Sequence, residues 1–197
     1  MVIFSTRNDS LYLLDMLKSF VDYILVNSCA SVHFSRPLFS VASNHFHLEN
    51  TYHPILQSLE LDVAANSKHQ QQQSSRYTRY IKLSDFDPLV VVVGANMSGK
   101  TTLLKQVGCL QIMAQCGCYV PASREKSACQ FVPVRQILSI SCDTSDTAQV
   151  LTQSSFEQEM FELNNMLSRI VAKKRGDDNM RNSYSLLLID ELCRNTY

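Results

Sequence analysis

Residues 94–101 read Gly94-Ala95-Asn96-Met97-Ser98-Gly99-Lys100-Thr101. These types at this spacing fit G-x-x-x-x-G-K-[ST], the pattern of a phosphate-binding loop. Glycines allow backbone N–H groups to close around phosphate oxygens, and a following helix adds the positive end of its dipole. Lys100 is then placed to reach the β- and γ-phosphates, and the Thr101 hydroxyl to ligate Mg²⁺. The expected nucleotide-contacting set is Gly94, Ala95, Asn96, Met97, Ser98, Gly99, Lys100, Thr101 and Thr102. The same letters also fit a plain glycine turn beside a lysine, so the flanks matter. Leu89 to Val93 predicts a buried strand before the loop. Thr102 to Cys116 predicts a helix after it, with Leu103, Leu104, Val107, Leu110 and Met113 at helical spacing.

A second acidic motif follows about 90 residues later. Leu186-Leu187-Leu188-Ile189 predicts an apolar strand ending in Asp190-Glu191. A nucleotide hydrolase needs an acid at such a strand tip to hold the Mg²⁺ shell, which assigns Asp190. The adjacent Glu191 is placed to orient and deprotonate an attacking water. Taken alone, the pair also reads as a solvated acidic strand end.

The chain has 197 residues, enough for one domain with a sizeable core. Lys+Arg and Asp+Glu are equal at 18 each, so no global basic field draws nucleic acid. Any DNA contact must be local or made by parts outside this chain. Seven cysteines are scattered, and only Cys116-Gly117-Cys118 sits close, with no histidine to complete a zinc spacing. Idle thiols in a reducing compartment are the expectation. Met1 to Ser10 lacks an apolar signal core, and the apolar stretch near Val21 to Leu25 is too short to span a bilayer. The chain reads as soluble and intracellular, without a membrane role.

The elements that must position these motifs follow from spacing. Asn8, Asp9 and Ser10 offer caps for a helix running to about Val26, with Leu13, Leu14, Leu17, Val21 and Ile24 on one face. Arg36-Pro37 ends any helix in the mixed stretch that follows. Asn66 to Ser75, with its four glutamines, reads as a surface loop. Tyr77 to Leu83 alternates as a strand. Short strands are expected around Cys118 to Val120 and over Phe131 to Ile140, the latter interrupted by Pro133. Ser154-Ser155-Phe156 opens a helix with capping boxes to Glu157 and Gln158. Its apolar face holds Phe156, Met160, Leu163, Leu167 and Ile170. Strands alternating with helices argue an α/β layered domain with a mostly parallel sheet.

Several of these stretches carry a resemblance. Gly94 to Thr101 resembles the G-P-N-M-x-G-K-S loop of the MutS family, ATPases of the ABC-like P-loop class. Gln111 to Gln115 followed by Tyr119-Val120-Pro121-Ala122 resembles its next helix and strand. Ser154-Ser155-Phe156 with Glu159-Met160 resembles its S-T-F-x-x-E-M signature, and Leu188 to Leu192 its Walker B strand. Upstream, Leu14 to Leu17, Arg36-Pro37 with Phe39, and His53 to Leu56 stand in the family's order. The wording around Leu13 to Leu17, Gln111 to Gln115 and Tyr119 to Ala122 resembles most the eukaryotic meiotic branch (homologue four).

The resemblance implies residues 1–45 as the end of a core helical region and 46–197 as a P-loop ATPase domain ending at the Walker B strand. It implies ATP and Mg²⁺ as cofactors and Lys100 and Glu191 as catalytic. It implies Thr101 and Asp190 on the metal, and Asn96 near the γ-phosphate. Ser154 and Ser155 would reach nucleotide held by a partner subunit. Read without the family, Ser154 is a simple helix cap. His53-Pro54 and Ala64-Ala65-Asn66 resemble the border of the adenine pocket. The implied partner is a second MutS homologue, the implied cargo double-stranded or branched DNA held by domains absent from this chain, and the implied compartment the nucleus. The function is then mismatch repair or meiotic recombination. Cys193 and Asn195 stand where the family has glycines, and residues 123–153 match it poorly. The chain therefore also reads as a fragment, or as a truncated and crippled nucleotide binder. Another ABC-type ATPase would carry an L-S-G-G-Q-like signature, and a kinase lid arginines and rarely a Glu191 beside Asp190.

Overall fold

The computed structural model describes residues 2–28, 32–39, 45–56, 77–84, 87–122, 129–140, 155–174 and 184–192. The glutamine-rich stretch, Ala64 to Asn66, Ser154 and Cys193 to Tyr197 lie outside the described residues. The chain divides into two compact units: residues 1–91 with 109–132, and residues 92–108 with 133–197. It is a mixed α/β structure with small sheets.

In the first unit, helix α1 spans Val2–Asn27. It begins well before the caps expected at Asn8 to Ser10, which lie inside the helix. The Asn27 amide donates to the Tyr23 carbonyl at 2.8 Å and the Ser28 hydroxyl to the Ile24 carbonyl at 2.6 Å, satisfying last-turn acceptors. The expected apolar face is largely exposed: Leu13, Leu14, Leu17 and Val21 are all open. The packed stripe is instead Phe20, Tyr23, Ile24 and Asn27. Periodicity identifies an apolar stripe but not which part of it finds a neighbour.

The strands of this unit are β1 (Phe34–Ser35), β2 (Leu38–Phe39), β3 (Phe46–Tyr52), β4 (Tyr77–Leu83), β5 (Val120–Pro121) and β6 (Cys129–Phe131). A four-stranded sheet has the order β2-β6-β3-β4, and β1 pairs antiparallel with β5. β3 is antiparallel to both its neighbours, with Phe46 opposite Leu83 and His47 opposite Gln130. β2 and β6 run parallel. Phe46 and Leu48 point into the core, and Asn50 then takes a left-handed φ of 47°, after which Thr51 is the buried residue. Asparagine tolerates that region better than most residues. Phe131 is fully buried and meets Phe46 edge-on at 5.7 Å and Phe39 at 6.0 Å. Burying such a ring stabilises by about 2–3 kcal/mol.

Helix α2 spans Lys100–Gln115, with residues 100–108 in the second unit and 109–115 in the first. Val107 and Leu110 are buried as the spacing requires. Its end is a Schellman motif: the Gly117 N–H donates to the Ala114 carbonyl and the Cys118 N–H to the Met113 carbonyl, both at 3.0 Å. Gly117 takes the left-handed φ of 83° that this motif demands. The buried Gln111 amide donates to the Val132 carbonyl at 2.9 Å, holding helix to strand.

In the second unit, β7 (Val134–Ile140), α3 (Ser155–Lys174) and β8 (Tyr184–Ile189) form a βαβ arrangement in which β7 and β8 pair in parallel. Pro133 separates β6 from β7 because it cannot donate to a ladder. In α3 the covered residues are Glu159 and Met166, with Met160, Leu163 and Ile170 half-buried; Phe156 and Leu167 are exposed. The packed stripe keeps Met160, Leu163 and Ile170 of the expected face and adds Glu159 and Met166.

Two expectations for the sheet change. Leu89 to Val93 forms no strand, and Leu89, Val91 and Val93 are exposed at 77%, 73% and 89%. A strand exists only where a neighbour takes its N–H and C=O groups, and no described strand pairs with this run. Among the described residues the pairings are also mixed: β1–β5, β3–β4 and β3–β6 run antiparallel, β2–β6 and β7–β8 parallel. Parallel pairing needs a crossover between the strands, which α3 supplies between β7 and β8; no described helix of that length joins β3 to β4. No helix among the described residues is long and apolar enough to cross a membrane.

Replacing Phe131 by alanine leaves a cavity at the meeting point of three rings, and urea denaturation should show a loss of about 3–5 kcal/mol. Burial also pushes the Cys129 thiol from 9.0 up to about 12 and, with the nearby Cys118 and Cys109, the Tyr23 phenol from 10.0 up to about 12. The fold thus holds both groups neutral while the unfolded chain ionises them earlier. Stability is unaffected by them below about pH 9 and falls as pH rises towards about 12, which urea midpoints at pH 8 and at pH 10.5 will reveal.

Candidate nucleotide site

The loop Gly94 to Gly99 is exposed throughout and leads into the first turn of α2. Met97 and Gly99 take left-handed φ values of 62° and 95°. Such residues bend the backbone so that successive N–H groups can converge on an anion. Glycine does this without strain, whereas Met97 bears a cost of about 1 kcal/mol or more, a type of strain that collects at functional loops. The Ser98 N–H closes the turn onto the Ala95 carbonyl at 3.3 Å. A Cβ on Gly94 would stand 2.8 Å from the Ser98 hydroxyl, so a larger residue there would require that hydroxyl to rotate away. The first helical bond runs from the Leu103 N–H to the Gly99 carbonyl at 2.9 Å. The N–H groups at the start of the helix therefore have no helical acceptor of their own.

Lys100, in the first turn, folds back over the loop. Its ammonium donates to the Gly94 and Ala95 carbonyls, each at 2.9 Å. The charge is thus held at the loop by the loop's own carbonyls. Thr101 and Thr102 are half-buried beside it.

Asp190 follows the last residue of β8, and its backbone N–H donates to the Ile140 carbonyl of β7 at 3.0 Å. That bond extends the parallel ladder by one residue and fixes where the carboxylate begins. The Thr101 hydroxyl donates to Asp190 Oδ2 at 2.5 Å, across 89 residues of sequence. This is the short end of the range for a hydroxyl on an ionised carboxylate. Two hard oxygen donors expected on one metal thus meet at one point. The donor set fits Mg²⁺, which takes few protein ligands and keeps water and phosphate for the rest. Among the described residues no cluster of three histidines, cysteines or carboxylates suits a more heavily liganded ion. Glu191 is exposed beside Asp190 and takes a left-handed φ of 47°.

Helix and strand also approach closely about two turns further along α2. A Cβ on Gly108 would lie 3.0 Å from Leu188 Cδ1, so glycine lets α2 lie tightly on β8. Nothing in the loop pattern points to Gly108, nor to the carbonyl of Ile140, because one is a packing contact and the other backbone. Ser155 starts α3, while Ser154 lies outside the described residues. His53 belongs to the other unit, where its Nδ1 accepts from the N–H groups of Ile55 and Leu56 at 3.3 and 3.4 Å and caps a helical turn.

Comparison with known proteins adds a family to this geometry. Residues 90–197 match MutS domain V. Over 183 residues the chain is 27% identical to the DNA mismatch repair protein MutS of Petrotoga mobilis, covering 93% of this chain and 18% of that protein. It is 33% identical over 192 residues to MutS protein homolog 4 of Mus musculus, covering 96% of this chain and 16% of that one. It is also 33% identical over 146 residues to the DNA mismatch repair protein MSH4 of Arabidopsis thaliana, covering 73% of this chain and 14% of that protein. The chain thus spans under a fifth of the length of these relatives. With the loop, the strand-tip acid and the family's domain V falling on the same residues, the chain belongs to the MutS family.

Proposed function

We propose that this chain is the nucleotide-binding part of a MutS-type ATPase. The observation that carries the reading is the hydrogen bond from Thr101 to Asp190, which joins the end of the loop to the strand-tip carboxylate. Proteins of this family are in general ATPases that use ATP with Mg²⁺. In this reading, Gly94 to Thr102 surround the phosphates and Lys100 leaves its two carbonyls to neutralise their charge. Thr101 and Asp190 hold Mg²⁺, which when bound screens the β- and γ-phosphate oxygens. Glu191, next along the chain, orients the water and takes its proton. Asn96 faces the γ-phosphate side of the loop.

The rest of the reading concerns the longer protein. Residues 1–45 are the end of the core helical region and 46–197 the ATPase domain. Ser155, the first residue of α3, and Ser154 before it in sequence serve nucleotide bound by a second MutS homologue, so that the site is complete only in a heterodimer. Domains outside this chain hold double-stranded or branched DNA, and nucleotide state switches that clamp between conformations. Similarity to the homologue-four proteins favours meiotic recombination in the nucleus over mismatch repair.

Titration of the chain with a fluorescent ATP analogue and Mg²⁺ tests the loop. Lys100→Ala removes one charge-assisted contact and should weaken binding about tenfold or more; equal affinity of the two proteins would show that the loop does not hold phosphate. Asp190→Asn should leave a weaker binding that no longer responds to Mg²⁺. Glu191→Gln should bind normally and, in the chain paired with a second family subunit, slow hydrolysis by about 100-fold or more.

A further inference from the structure

A second site lies in the first unit and touches none of the loop residues. An apolar cavity of about 470 Å³ is lined by Phe20 and Tyr23 of α1, Ile112 and Met113 of α2, and both Cys116 and Cys118. Its size is that of a small-molecule pocket. No charged side chain lines it. The Tyr23 hydroxyl is turned to the Pro54 carbonyl, 3.4 Å away. The chemically active groups on the wall are therefore the two thiols.

Their placement is specific. Cys116 is exposed and Cys118 is buried. Only Gly117 separates them, and its left-handed φ of 83° turns the chain between them. Two residues apart, their α-carbons lie within about 7 Å, close to the span that a disulfide bridges. Cys109 stands seven residues before Cys116, which directly follows the last residue of α2, so about 10 Å of helix separates them, too far for Cys109 to compete for that thiol.

We propose that Cys116 and Cys118 form a redox-active dithiol that reacts with neutral, apolar organic hydroperoxides admitted by this cavity. Cys116 is the attacking thiol because it is the exposed one. Cys118 is the resolving thiol; burial, and the neighbouring Cys116, raise its pKa and keep it protonated. In the first step the Cys116 sulfur attacks the distal peroxide oxygen. The O–O bond breaks, the alcohol leaves with a proton, and sulfur is oxidised to a sulfenic acid. In the second step the Cys118 sulfur attacks that sulfenic sulfur. An S–S bond forms, the S–O bond breaks, and water leaves with the Cys118 proton. A thiol reductant reverses the change. The apolar wall selects the oxidant, since hydrogen peroxide gains nothing from it.

The test treats the 197-residue chain with cumene hydroperoxide or hydrogen peroxide and maps residues 106–124 by tandem mass spectrometry. Loss of two hydrogens located between Cys116 and Cys118, about ten times faster with cumene hydroperoxide and reversed by dithiothreitol, is the expected result. In Cys118→Ser, dimedone should mark Cys116. In Ile112→Glu, at an exposed position on the cavity wall, the preference for the organic oxidant should vanish while the disulfide still forms. A wild-type peptide that stays reduced, or that bridges Cys109 instead, would overturn the dithiol. Equal rates with the two oxidants would overturn the cavity as its selector. Both readings come from the unaltered chain and so do not depend on any variant folding.

Discussion

At Gly108 helix α2 lies so close on β8 that a single added carbon would meet Leu188 at 3.0 Å. This contact is one of the constraints on the candidate nucleotide site. A helix pressed against a strand brings one end of each to the same level. Here the N-terminal turn of α2 and the tip of β8 are those ends, and Thr101 meets Asp190 there. The parallel pairing of β7 with β8 supplies the rest. It carries the Asp190 N–H to the Ile140 carbonyl, so the acid leaves the sheet from a fixed point. A larger residue at 108 would have to displace the Leu188 side chain by a few tenths of an ångström or shift the helix on the strand.

The loop itself is balanced between strain and order. Met97 holds a conformation that glycine adopts freely, and Lys100 spends its charge on two carbonyls of its own loop. Both features suit a loop that exchanges internal contacts for an anion. The ammonium already lies over the loop, so in the proposed function binding would require a short movement and little ordering. The exposed run from Leu89 to Val93 shows the opposite condition. Its apolar side chains are made for a sheet interior, yet no described strand pairs with them.

The first unit shows how the same chain keeps chemistry apart from structure. Its core is built from rings and small apolar residues around Phe131, and its thiol at Cys129 is buried and inert. Cys116 and Cys118 differ because they lie where the helix ends. The Schellman turn that stops α2 at Gly117 also places one thiol outside and one inside. A capping rule and a pair of side chains thus make a reactive arrangement that neither makes alone.

Much of this was legible in the residues. The spacing of Gly94, Gly99, Lys100 and Thr101 determined a loop followed by a helix, because glycine geometry and helical periodicity are local properties. Tyr77 to Leu83 and Leu186 to Ile189 declared themselves as strands through alternation and through an unbroken apolar run. Asp190 and Glu191 were identifiable for the same reason, as acids at the end of such a run. Other features were decided by the tertiary structure. Which stripe of α1 and α3 is covered depends on which neighbour lies beside it, and hydrophobic spacing names only candidates. Leu89 to Val93 reads as a buried strand, but pairing is a property of two segments. The antiparallel order around β3 follows from long-range register, and the closeness at Gly108 from packing between segments far apart in the chain. The sequence alone determined which groups are candidates for phosphate and metal; tertiary packing decided that Thr101 and Asp190 meet, because only a folded chain sets the distance between residues 89 positions apart.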